Sequence, residues 1–117
     1  MNRMILVVGA VLATFSSLAV AQTMPQKPFS QWTQAEQQAL AASLKAKSDR
    51  DCNQYVAAAQ GGSQRATYEA AACMYGTFFL GVPADYPNRE QYKQQFYQNS
   101  ANAKSLGSNA PFLKTSE

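Results

Sequence analysis

The N-terminal twenty-one residues constrain this fold more than any other feature, because they determine how much of the chain is left to form a core. Met1-Asn2-Arg3 is basic, residues 4–18 are apolar, and Ala19-Val20-Ala21 offers the small side chains that a signal peptidase accepts. This order predicts a cleaved signal peptide over residues 1–21. The alternative is a transmembrane anchor, but the apolar segment is short for a bilayer span and contains polar or small residues, namely Gly9, Thr14, Ser16 and Ser17.

Cleavage would leave 96 residues, enough for one domain with a small core. We therefore expect a periplasmic or secreted protein. The remaining chain has nine basic and seven acidic residues, a net charge of +2. The basic residues are scattered and form no run, so we expect no nucleic-acid partner and no membrane insertion after signal cleavage.

The mature sequence predicts an all-α fold of four helices in one compact domain over residues 31–107. Residues 22–30 are polar with two prolines and predict a flexible lead-in. Residues 108–117 form a C-terminal tail that is either folded back or mobile.

Capping signals predict where the first two helices begin. Thr33 and Glu36 match a capping box, which predicts a first helix over residues 34–45. Ser48 and Asp49 offer a second N-cap, which predicts a separate second helix over residues 50–60, ending at Gly61-Gly62.

The third helix is predicted over residues 64–80, with Ser63 as its N-cap and Gly81 at its end. It is apolar on nearly every side, and a helix of this kind is usually the central one of a domain. One of its apolar stripes ends in Cys73, Thr77 and Leu80, which we expect to face inward. The fourth helix is predicted from Asn88, as N-cap with Gln91 as its capping-box partner, to about residue 105.

Two cysteines in a small exported domain favour a disulfide, because the compartment is oxidising. If Gly61-Gly62 folds the second helix back on the third, Cys52 and Cys73 lie nearly level across the hairpin. The hairpin geometry therefore predicts a structural Cys52–Cys73 bridge. A redox-active pair is the alternative, although such pairs are usually close in sequence.

Catalytic chemistry has few candidate residues in this chain. Histidine is absent, which removes the commonest general base and the commonest metal ligand. The carboxylates have sufficient structural roles near helix starts or in ion pairs. We predict that the protein is not an enzyme, has no catalytic residues, and binds no metal or cofactor.

The loop over residues 81–89 is the best candidate for a binding site. Its two prolines limit its freedom, so binding would cost little ordering entropy. Asp85, Tyr86 and Arg89 combine an anchoring charge with residue types common in binding hot spots. The alternative is a stiff connector in which Tyr86 covers the edge of the core. Phe112-Leu113 in the tail is either a docking anchor or packing for the last segment.

The run from Cys73 to Asp85, CMYGTFFLGVPAD, resembles a family of small exported helical immunity proteins. These proteins protect bacteria from peptidoglycan amidases delivered by type VI secretion. The resemblance covers residues 50–86 and implies a signal, an all-helical body and a disulfide that includes an earlier cysteine such as Cys52. The chain lacks the further cysteines expected after the Gly-Val segment.

Three functions are consistent with these observations. The first is a protein-binding module, such as an inhibitor or immunity protein that occludes a partner enzyme, for example a cell-wall hydrolase. This protein would act as a monomer or homodimer. The second is a periplasmic stress or chaperone-like protein, and the third is a small secreted effector.

Overall fold

The computed structural model describes residues 24–117, and all regular structure in them is helical. A 3-10 turn, Phe29–Gln31, precedes the three α-helices, which are α1 (Gln34–Gln60), α2 (Gln64–Gly81) and α3 (Arg89–Ser105). The all-α prediction is confirmed for this part of the chain. The predicted signal peptide lies outside the described residues. None of the helices between residues 24 and 117 combines the length and apolarity needed to cross a bilayer.

The prediction of four helices is wrong, because α1 continues through the expected break at residues 46–49. No glycine or proline interrupts the helix, and two ion pairs bridge the region one turn apart. Lys45 lies 2.9 Å from Asp49, and Lys47 lies 2.8 Å from Asp51. Ser48 is buried inside the helix instead of capping a new one.

The chain divides into two compact units, of which the first ends at Ser43. In this unit the predicted capping box is present. The Thr33 N–H donates to Glu36 Oε1 at 2.8 Å, and the Glu36 N–H donates to Thr33 Oγ1 at 3.1 Å. The Thr33 N–H, and then the Lys27 ammonium, hold the pKa of the Glu36 carboxyl below its usual value. Trp32 is buried, and its Nε1–H donates to the carbonyl of Lys27 at 3.1 Å.

The second unit, Leu44–Glu117, contains the predicted disulfide hairpin. Gly62 adopts a left-handed conformation (φ 102°), and the Ser63 N–H donates back to the Ala58 carbonyl at 3.4 Å. Ser63 then caps α2 by accepting from the Ala66 N–H at 3.0 Å. The turn brings Cys52 and Cys73 together in a disulfide with a Cα–Cα distance of 5.7 Å, which confirms the predicted pairing.

Helix α2 is the central helix, as its apolar composition predicts. Eight of its 18 residues are buried, against three of 27 in α1 and three of 17 in α3. The core between α2 and α3 consists of Ala72, Phe79, Phe96, Ala103 and Leu113. Gly76 permits close packing here, because a Cβ at this position would lie 2.8 Å from Cε1 of Phe96.

The C-terminal tail is folded back on this unit. Leu113 is buried in the core, and Phe112 meets Tyr55 edge-on at a centroid distance of 5.2 Å. The Ser108 hydroxyl donates to Oε2 of Glu69, and both residues are buried. Glu69 therefore joins α2 to the tail, in addition to the predicted pairing with Arg65 on its own helix.

The start of α3 differs in one detail from its prediction. Asn88 occupies the N-cap, but its side chain makes no capping hydrogen bond, so the predicted box with Gln91 is wrong. The end of α3 follows the usual glycine pattern: Gly107 is left-handed (φ 91°), and the Ser108 N–H donates to the Ala103 carbonyl at 3.0 Å.

Candidate functional site

The loop between α2 and α3 is built from two consecutive turns. The Tyr86 N–H donates to the Pro83 carbonyl at 3.0 Å, and the Arg89 N–H donates to the Tyr86 carbonyl at 3.1 Å. Together with Pro87, these turns define the backbone that carries the predicted binding residues. Asp85 is exposed, whereas Tyr86 and Arg89 are half-buried.

Tyr86 belongs to a group of four aromatic rings that has Tyr92 at its centre. The Tyr86 ring stacks on Tyr92 with centroids 6.0 Å apart and an interplanar angle of 24°. Phe78 lies 5.6 Å and Tyr75 lies 6.4 Å from the same ring. Each of the four residues is half-buried, so each keeps part of its surface accessible. We call these four residues the aromatic face.

Tyr92 is the centre of the aromatic face, and its surroundings disfavour the ionised form of its phenol. Burial, and then the nearby Tyr86, raise the pKa of Tyr92 above its ordinary value. Its hydroxyl also interacts with the side chain of Asn88 in the loop. Tyr92 thus ties the loop to α3, and the face carries no charge at its centre.

Arg89 points toward the core rather than lying alongside Tyr86. Its guanidinium carbon is 4.4 Å from the ring centroid of Phe79, which is a cation–π arrangement. Its Nε is buried and makes no hydrogen bond within residues 24–117. Much of Arg89 is therefore engaged in packing, while Asp85 and the aromatic face are more accessible.

A second surface lies on the other side of α2. It is a groove of about 300 Å³ between α1, α2 and the tail. Tyr55 and Phe112 line it from α1 and the tail, and Phe96 lines it from α3. The α2 residues Gly76, Thr77 and Leu80 line it as well. Lys47 and Asp51 also line it, and we refer to this surface as the groove.

The sequence pattern is wrong about one residue of these surfaces and leaves the grouping of the others undetermined. Leu80 was expected on an inward stripe, but it is 73% exposed. The periodicity of α2 identifies Tyr75 as apolar and that of α3 identifies Tyr92, yet it does not place them beside Tyr86. Only the turns of the loop bring these three rings together, and no local motif predicts that contact.

The chemistry of the two surfaces consists of aromatic, aliphatic and paired charged groups. Both cysteines are joined in the disulfide. Among residues 24–117 no three acidic or cysteine side chains are grouped so that they could hold a metal ion. Both surfaces are therefore suited to binding through apolar contact.

Comparison with known proteins adds no family assignment. The chain has no significant match to a protein-family model, to a curated protein or to a solved structure.

Proposed function

We propose that this protein is an exported binding module that occludes a partner enzyme, with Asp85 and the aromatic face as its contact surface. The observation that carries this proposal is the grouping of three half-buried rings around the half-buried ring of Tyr92, with the exposed Asp85 next to Tyr86 in the chain. Tyrosine and phenylalanine are enriched in protein interfaces, because they offer a large contact area with few rotatable bonds.

The rigidity of the aromatic face supports this function. Tyr75 and Phe78 are fixed on α2, Tyr92 on α3, and Tyr86 on a loop restrained by two prolines. Little conformational freedom remains to be lost when a partner binds, so more of the contact energy contributes to affinity.

The disulfide and the sequence resemblance together favour a partner outside the cytoplasm. A Cys52–Cys73 bridge is typical of proteins in oxidising compartments, which agrees with the signal peptide predicted over residues 1–21. The segment that resembles amidase immunity proteins, residues 73–85, includes Tyr75, Phe78 and Asp85. We infer that the partner is a cell-wall hydrolase, with a peptidoglycan amidase as the first candidate.

The test is inhibition of purified peptidoglycan amidases that are delivered by type VI secretion. We expect the protein, with its disulfide intact, to inhibit at least one of them at a stoichiometric ratio. Asp85→Ala and Tyr86→Ala should each weaken inhibition about tenfold, the effect of losing roughly 1.4 kcal/mol at a hot spot. Leu106→Ala is the control, because Leu106 is 43% exposed and lies outside the aromatic face.

Circular dichroism must show that each variant keeps its helical content. The proposal fails if no amidase is inhibited and periplasmic extract yields no stoichiometric enzyme complex. It also fails if a variant that lacks both Asp85 and Tyr86 inhibits the verified partner as well as the original protein does.

A further inference from the structure

Lys93, in the second turn of α3, is a lysine with little exposure to solvent. Its side chain is only 22% exposed, and two carboxylates meet its ammonium group. Nζ lies 3.2 Å from Oε1 of Glu90 and 3.1 Å from Oε2 of Glu117. The hydrogen bonds that Lys93 donates to Glu117 and then to Glu90 raise the pKa of Lys93 above its usual value. Lys93 is therefore a cation held at a defined position.

The carboxylate of Glu117 lies among three cations. Lys93 lowers the pKa of this carboxylate most, through its hydrogen bond, and the charges of Lys114 and Arg89 lower it further. We call Arg89, Lys93 and Lys114 the cationic cluster. The Glu117 side chain is 74% exposed, so charge rather than packing holds it there. With Glu90, two carboxylates face three cations, and one positive charge remains in excess.

The hold of the cationic cluster on Glu117 is weak. Water and salt screen an ion pair with a strongly exposed partner, and the pair also immobilises a flexible side chain. Glu117 can therefore leave Lys93 at little cost. A carboxylate that arrives as part of a partner surface excludes water from the cluster, and its attraction to Lys93 is stronger in those drier surroundings. The excess positive charge also attracts an acidic group from outside.

The cationic cluster adjoins the aromatic face through α3. Lys93 directly follows Tyr92 in this helix, and consecutive Cα atoms are about 3.8 Å apart. A standard protein interface buries about 800 Å² on each partner, which corresponds to a patch roughly 30 Å across. A partner that covers Tyr92 therefore also reaches Lys93, although the two side chains leave the helix about 100° apart.

We propose that the cationic cluster is a carboxylate-binding site, which an acidic side chain of the enzyme partner occupies in the complex and Glu117 occupies in the free protein. Glu117 then acts as an internal competitor that the partner must displace from Lys93. The choice of an enzyme as the partner rests on the proposed function. Binding of a carboxylate at Lys93 does not rest on it and is tested separately.

The first experiment needs no enzyme, because it uses glutarate, a dicarboxylate that resembles an acidic side chain. Glutarate is titrated while NMR follows the amide signals around residue 93. We expect Glu117→Gln to bind glutarate about threefold more tightly than the original protein does, because the competitor is gone. Lys93→Gln should show no saturable binding there. Asp49→Asn is the control, since it removes an equal charge from the exposed Lys45–Asp49 pair, and it should behave as the original. The same spectra show that each variant keeps its fold.

The second experiment measures affinity for the enzyme partner at low ionic strength. Lys93→Gln should weaken binding about tenfold, and Glu117→Gln should strengthen it about threefold. The gain from Glu117→Gln should disappear when Lys93→Gln is also present, since no site is left to compete for. Lys45→Gln and Asp49→Asn make the same charge changes in an ion pair on α1, so both should leave the affinity nearly unchanged.

Each experiment can overturn the proposal. Glutarate that fails to saturate near Lys93, or that binds the original and Glu117→Gln equally, shows that the cluster is not a carboxylate site in which Glu117 competes. If Lys93→Gln leaves the enzyme affinity unchanged, the partner does not use the site, and the proposal is wrong.

The proposed function fails in a different way. If Lys93→Gln has no effect while Asp85→Ala and Tyr86→Ala weaken inhibition, the aromatic face remains the contact surface and only the carboxylate site is refuted. The reverse pattern refutes the aromatic face and supports the site at Lys93. If no enzyme binds at all, the partner named here is wrong, and the glutarate titration alone decides whether Lys93 binds a carboxylate.

Discussion

Helix α2 is attached to its two neighbours in different ways. On the α1 side, α1 contributes three buried residues, and none of them is aromatic. They are Leu44, Ser48 and Cys52, which follow one another at four-residue intervals. On the α3 side large rings interlock, with Phe79 and Phe96 at a centroid distance of 6.2 Å. A covalent bond joins the first pair of helices, whereas aromatic packing joins the second.

This difference shows how a small domain compensates for a thin interface. The three buried residues of α1 remove little apolar area from water, so packing alone contributes little there. The Cys52–Cys73 bridge limits the freedom of the unfolded chain in the segment that joins these two helices. Stability on the α3 side depends instead on shape and volume, and the two sides should therefore respond to different perturbations.

The largest effect should come from removing the central ring on the α3 side. Phe96 is 2% exposed, and Phe96→Ala should lower the free energy of unfolding by about 3–5 kcal/mol, because it leaves a cavity between α2 and α3. Urea denaturation followed by circular dichroism measures this change. Phe78→Ala is the control, since Phe78 is only half-buried and should lose clearly less. Equal losses for the two variants would show that the core is not centred on Phe96.

Removal of the disulfide should have the next largest effect. The bridge closes a separation of 21 residues, so replacing both cysteines by serine should cost about 3 kcal/mol. A reducing agent should destabilise the original protein by a similar amount and leave the double variant unchanged. If reduction has no effect, the α1 side is held by packing after all, and the contrast between the two interfaces disappears.

Sequence patterns predicted the parts of this architecture that depend on local geometry. Gly61-Gly62 and Ser63 define the turn between α1 and α2. This turn places Cys52 opposite Cys73. The same kind of local signal gave a wrong prediction at Ser48, where a helix N-cap was expected. A serine before an aspartate is also compatible with a helix interior when ion pairs bridge it. Cap signals compete with helix continuation, and here the two ion pairs and the burial of Ser48 go with continuation.

The candidate surfaces were less predictable than the helices. The loop residues Asp85 and Tyr86 were identified from their types, but their neighbours depend on the backbone turns that carry Tyr86 to Tyr92. Leu80 fits an apolar stripe as well as Cys73 does. It is nevertheless 73% exposed, and it lines the groove together with Tyr55 and Phe112. A periodic pattern identifies an apolar position but not whether a neighbour covers it.

The smallest effects should come from adding one methyl group on each side of α2, which tests the comparison most directly. Gly76→Ala would place a Cβ 2.8 Å from the buried Phe96 ring, and overpacking of this kind typically costs about 1–3 kcal/mol. Gly81→Ala would overlap more closely with Cδ2 of Leu44, but this atom is the far end of a flexible aliphatic side chain that can change its rotamer. Alanine is also favoured over glycine in helices by up to about 1 kcal/mol, so this variant should lose less stability than Gly76→Ala.

Both glycines lie in the same helix and neither has a positive φ, so backbone strain does not separate the two variants. The midpoint of urea denaturation should therefore be lower for Gly76→Ala than for Gly81→Ala. Combining Gly76→Ala with Phe96→Leu should recover part of the loss, because a smaller side chain relieves the overlap. If Gly81→Ala is instead the more damaging change, the α1 interface is the rigid one, and the disulfide reinforces tight packing rather than replacing it.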